Sequence, residues 1–107
     1  MSQVDTFVFA VTVNQILDEI EGQLLLLESH PEENGRLDNI EEKITFLRSE
    51  AEQYKFTDIA NICDRVVHLV HRLRSRPDAV KHNAISVMFH FVDGSRRHIN
   101  GIQRMAG

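Results

Sequence analysis

Apolar side chains recur along this chain at alternating steps of three and four residues, the period of one face of a helix. Ala10, Val13, Leu17, Ile20, Leu24 and Leu27 form the first seam, which stops before Ser29-His30-Pro31. Leu37, Ile40, Ile44, Leu47, Ala51 and Tyr54 form the second, opening after Asn34-Gly35. The third runs through Ile59, Ile62, Val66, Leu69 and Leu73, with Thr57 positioned to cap its start and Ser75-Arg76-Pro77 to stop it. Ala60, Cys63, Val67 and Val70 add a second stripe to that helix, which predicts that it is the most enclosed of the set and touches two neighbours. The fourth begins near Asp78, carries Ala84, Val87, Met88 and Phe91, and reaches at least Asp93-Gly94. Gly94 and Gly101 each disfavour further helix by about 1 kcal/mol. The pattern therefore leaves room for an extra C-terminal helix through Ile99 and Ile102.

Four amphipathic helices with short connections predict an all-α fold, an antiparallel four-helix up-down bundle whose seams share one interior. The whole chain, 1–107, reads as a single domain. One stretch departs from the pattern. "FVFAVTV", residues 7–13, is aromatic and β-branched and so favours a strand, yet the chain offers no strand to pair with it. It is expected to fold as a short element over one end of the bundle. In the alternative, Phe7, Phe9 and Val11 form a second apolar surface through which copies of the chain associate.

With 42% hydrophobic residues in 107, the chain can bury an ordinary core without metals or disulfides. Its one cysteine, Cys63, has no internal partner, and no segment resembles a signal peptide or a membrane span, which predicts a cytoplasmic protein with no membrane contact. Charge is divided unevenly. Residues 1–56 hold 12 acidic and 4 basic side chains, net −8, while residues 57–107 hold 4 acidic and 8 basic, net +4. Neighbouring helices of opposite sign are the simplest reading. Arg72, Arg74, Arg76, Lys81, Arg96 and Arg97 cluster, but few aromatics interleave with them and the chain as a whole is acidic, which argues against nucleic-acid binding.

The six histidines suggest other chemistry. His68 and His71 stand three apart on the third helix, with Asp64 one turn earlier, a spacing that can hold a metal or offer a displaced phosphoacceptor. Positions 61, 64, 65, 68, 71, 72 and 75 are all polar, however, as a solvent-facing stripe is. No metal site and no cofactor are therefore expected. His90 and His98 read as packing residues beside the fourth apolar face, and Cys63 as a small core side chain. Phosphate-binding glycine loops and Ser-His-Asp signatures are absent, so no enzyme is expected.

Fixing the second seam at Ile44 and Leu47 puts Thr45 about 100° off it, on the open side with Asp38, Glu41, Arg48, Ser49 and Glu52. "ILDEIEGQLLLLE" and "GRLDNIEEKITFLRSEAEQYKF" resemble the first two helices of histidine phosphotransfer (HPt) domains, in particular those of CheA-type chemotaxis kinases. "FTDIANICDRVVHLVHRLRS" is similar to their third. The likeness spans roughly residues 10–100, and Ala51 and Phe56 fall without a gap on the last positions of the family's His-x-x-Lys-Gly-(Ser or Gly)-Ala motif and the apolar residue beyond it.

The resemblance implies that Thr45 stands in place of the phosphorylated histidine, Arg48 of the lysine, Ser49 of the glycine and Glu50 of a small residue. Asp64 and Val67 replace a histidine and a glutamate that orient the phosphorylated ring. A threonine hydroxyl is a poor nucleophile without a base beside it, a role open here only to Glu41 or Glu42, and its phosphoester would not readily be passed on. The expectation is a degenerate phosphotransfer domain. It would act in two-component or chemotaxis-type signalling by binding a receiver domain or a sensor histidine kinase through Glu41, Thr45, Arg48, Ser49, Glu52, Asp64, His68 and His71. A Thr45-phosphorylated variant and an oligomerising structural bundle are the alternatives.

Overall fold

A computed structural model describes residues 3–106 as four helices: α1 (Gln3–Ser29), α2 (Asn34–Gln53), α3 (Thr57–Leu73) and α4 (Asp78–Ala106). They form an antiparallel up-down bundle in which each helix packs on its sequence neighbours and α4 closes back on α1. The molecule measures 45 × 20 × 17 Å. None of the described helices is long and apolar enough to cross a membrane.

The seams of α1 and α2 meet in the interior as their spacing predicts. Leu17, Ile20, Leu24 and Leu27 face Leu37, Ile40, Ile44 and Leu47, all at 0% exposure. The seams of α3 and α4 differ from expectation at two positions. Ile62 and Val87 stand 45% and 54% exposed, because α3 lies close along α2 but only thinly against α4. Thus α3 is not the most enclosed helix. Its buried face is Ile59, Ala60, Cys63, Val66, Val70 and Leu73.

The N-terminal stretch is neither a strand nor a separate element. Residues 7–13 are continuous with α1, and the helical period sorts their side chains: Phe9, Ala10 and Val13 are buried while Phe7, Val8 and Val11 are exposed. Phe9 therefore belongs to the core and to no surface shared with Phe7 and Val11. Its ring stacks on Phe56 at 4.4 Å and tilts against Tyr54 at 5.3 Å. Local β propensity yields here to the burial of three apolar side chains on one helix face.

The turn that presents Phe56 is a Schellman motif. Phe56 N–H donates to the Ala51 carbonyl at 2.7 Å and Lys55 N–H to that of Glu52 at 3.1 Å. This requires Lys55 to adopt φ 65°, the left-handed region. A side chain there is strained by roughly 1 kcal/mol or more. Lys55→Gly is expected to raise stability by about 0.5–1 kcal/mol in urea unfolding, since the left-handed conformation carries no Cβ penalty in glycine. Phe56 also occupies the N-cap position of α3, and Thr57 is the first helical residue rather than a side-chain cap.

Beyond Pro77, α4 runs unbroken through Gly94 and Gly101, so no additional C-terminal helix forms. Burial of Val92 and Ile99 on either side outweighs the glycine penalty, at about 1.5–3 kcal/mol for each large apolar side chain.

Candidate functional site

The eight candidate residues lie along the outer sides of α2 and α3, and the structure joins five of them in two groups, leaving Thr45, Ser49 and Glu52 outside both. In the first, the Arg48 guanidinium donates to Asp64 Oδ1 at 2.6 Å, tying the middle of α2 to α3. Asp64 is the chief cause of an upward shift in the already high pKa of Arg48. His68 Nδ1–H donates to the Asp64 carbonyl at 2.7 Å, which leaves its Nε2 edge outward. In the second group Arg74 is the hub. It bonds the Asp38 carboxylate at 2.8 Å and the Glu41 carboxylate, and both raise its pKa, Glu41 the more.

His71 completes the second group by accepting from Arg74 Nη1 through Nδ1 at 3.0 Å. With that nitrogen serving as acceptor, the 3.6 Å approach of Glu41 is proximity and not an ion pair. Sequence reasoning assigned Arg74 to a basic cluster and missed this bridging role. Two other members of that cluster are engaged elsewhere: Arg96 pairs with Asp18 at 2.6 Å on α1, and Lys81 is buried at 4% exposure.

Thr45 is half-buried on α2. It borders an open groove of about 640 Å³ between α1 and α2, alongside Thr12, Gln15, Phe46 and Ser49. Its carbonyl accepts the Ser49 hydroxyl at 3.2 Å. Among the described residues no carboxylate is hydrogen-bonded to the Thr45 hydroxyl, and Glu41, one turn back, is held by Arg74. Glu42, the other carboxylate within a turn, lines the same groove without a hydrogen bond to that hydroxyl, so no base is bonded to Thr45 among the described residues. Glu52 is exposed and contributes only its field, which supports the charge on Arg48.

Two expectations about other groups are corrected or sharpened. His90 and His98 are exposed rather than packed, and they rim an opening between α3 and α4. Cys63 is fully buried, and its thiol is pushed from an ordinary value of 9.0 up to about 12, first by burial and then by Asp64, against the opposing field of Arg48. A thiol so shifted stays protonated and inert. Native protein at pH 8 is expected to react with a thiol-specific disulfide reagent at least about tenfold more slowly than urea-unfolded protein. Between pH 9 and 12 the folded state holds a proton that the unfolded state has lost, so this group lowers stability as pH rises through that window.

One cluster was not foreseen: the ligand atoms of His30, Glu32 and Glu33, all exposed, lie within 4.8 Å of one another at the α1–α2 connection. Exposed acidic groups commonly approach one another in this way, and Glu33 is already paired with Arg36. Neither a protein-family model, nor a curated protein, nor a solved structure matches this chain.

Proposed function

We propose that this bundle is a phosphotransfer-like domain that docks a receiver domain or a sensor histidine kinase without relaying phosphate. What carries the reading is the half-exposed Thr45 midway along α2, one turn from the Arg48–Asp64 bridge, with no carboxylate hydrogen-bonded to its hydroxyl among the described residues. A phosphorelay site needs an imidazole on that outer face, because a phosphohistidine is reactive enough to pass its phosphoryl group on. The face here retains a polar character suited to recognition. Cations and carboxylates from two helices are locked in fixed geometry, and a preformed surface loses little entropy on docking.

The test is a titration of ¹⁵N-labelled protein with receiver domains and kinase phosphoacceptor-binding domains of the source organism, one at a time. The reading expects saturable shifts for at least one of them, centred on Glu41, Thr45, Arg48, Ser49, Glu52, Asp64, His68 and His71. Arg48→Glu, which sets two carboxylates against each other across α2 and α3, should weaken that binding at least about tenfold. Shifts centred on another face, or no binding by any of these domains, would sink it.

A further inference from the structure

We infer that the α3–α4 face, on the other flank of α3 from the Arg48–Asp64 bridge, is a docking surface for an acidic amphipathic helix of a partner protein. The bundle is least closed here: α3 and α4 touch less than any other neighbouring pair. Their separation opens a groove of about 310 Å³ with Ile59, Ile62 and Phe91 in its walls and His90, His98 and Asp58 along its rim. Gly94 lies in the same groove, and a Cβ built there would meet nothing within 4 Å.

Apolar side chains that found no place in the core continue this groove along both helices. Ile62 is 45% exposed, and Val80 and Val87 are 44% and 54% exposed. Val80, Val87 and Gly94 follow one another at seven-residue steps, and Phe91 is one turn beyond Val87, so they share a strip of α4. On α3 the corresponding strip is Ile62, Arg65, Leu69 and Arg72. Such a pattern of apolar side chains between two helices is what the apolar face of a third helix fits.

Charge selects the occupant. Arg48, Arg74 and Arg96 are each neutralised by carboxylates of a neighbouring helix. Among the described residues, Arg65 and Arg72 enter no ion pair, and Asp58 is the single acidic residue at the groove. A partner helix with carboxylates flanking its apolar stripe would complement both arginines and the two histidines. A second copy of this chain fits less well. Its acidic side is α1–α2, and pairing that side with α3–α4 is a head-to-tail contact, which leaves one α3–α4 face of a pair uncovered.

The face is about 25 Å long and about 20 Å wide for two adjacent helices, roughly 500 Å², below the roughly 800 Å² per partner of a stable complex. Binding should accordingly be transient and sensitive to salt.

The probe is a labelled helical peptide with leucines at i, i+3, i+4 and i+7 and glutamates elsewhere, compared with the same peptide carrying lysines for glutamates. Fluorescence anisotropy should give at least tenfold tighter binding of the glutamate peptide, with amide shifts at Ile62, Val87, His90 and His98. The doubly substituted variants Arg65→Glu with Arg72→Glu, and Ile62→Ser with Val87→Ser, should each weaken binding at least tenfold. All four side chains are exposed or lie outside the core, and unchanged helical circular dichroism would establish that both variants fold. Arg48→Glu should leave the peptide affinity unaltered, which separates this surface from the receiver-docking face. Equal affinity for the two peptides, no binding, shifts on α1–α2, a dimer formed through this face in sedimentation, or preference for phosphatidylglycerol vesicles over the peptide would each overturn the inference.

Discussion

Phe9→Ala is expected to destabilise the bundle by about 3–5 kcal/mol, while Phe7→Ala, two residues earlier, changes stability by less than about 0.5 kcal/mol. The contrast follows from their placement on one helix. Phe9 is 1% exposed and its ring packs on those of Phe56 and Tyr54, so truncation removes buried area and leaves a cavity at the α2–α3 turn. Phe7 is 57% exposed. Urea unfolding of the two variants reads the difference directly, with an unchanged denaturant slope indicating that the folded state is retained. Equal losses would mean that α1 does not begin before the Phe9 turn.

Lys81→Ala should cost about 2–3 kcal/mol, a large effect for a lysine, because charged hydrogen bonds in a buried setting are lost together with stem packing. The Lys81 ammonium donates to Asn34 Oδ1 at 2.8 Å and to the Pro31 carbonyl at 3.3 Å. It fastens the first turns of α4 to the connection between α1 and α2, at the end of the bundle remote from Phe9. Lys81→Met, which keeps the stem and removes the donor, should lose less than Lys81→Ala. The difference between the two measures the packing share. If Lys81→Ala lies within about 0.5 kcal/mol of wild type, the ammonium is solvated and the tie is absent.

The helices and most of the core were legible in the sequence because a 3-4 spacing has one physical solution, a helix with one buried face. The misassignments share a cause. Residues 7–13, Ile62, Val87, His90 and His98 were judged from residue type or a local stripe, whereas burial depends on how closely neighbouring helices approach. The loose α3–α4 seam is a tertiary fact that no single helix encodes.

The ion pairs were closer to legible. In an antiparallel hairpin, residues equidistant from the turn lie opposite each other. Counting from Phe56, the ion-paired Arg48 and Asp64 are eight residues away on either side and Asp38 and Arg74 eighteen, and the neighbouring but unpaired Glu41 and His71 are fifteen. Glu19 and Lys43, each twelve residues from Pro31, meet at 2.7 Å in the same way. The charge division between the halves of the chain is thus spent in part within the molecule, through Arg74 and Arg96. Among the cations left unpaired in the described residues, Arg65 and Arg72 are the two on α3 that mark the α3–α4 face. Thr45 was expected to face open solvent; it is half-buried and borders a groove whose other wall is α1, with Thr12 and Gln15, which no periodicity in α2 alone could supply.

The most direct measurement of the central proposal, docking without relay, follows labelled phosphate after the protein is mixed with an active histidine kinase and its phosphorylated receiver. The account predicts that the receiver keeps its label and that this chain acquires none that is acid-labile, even at concentrations that saturate binding. An acid-labile phosphate on any of its six histidines would contradict it.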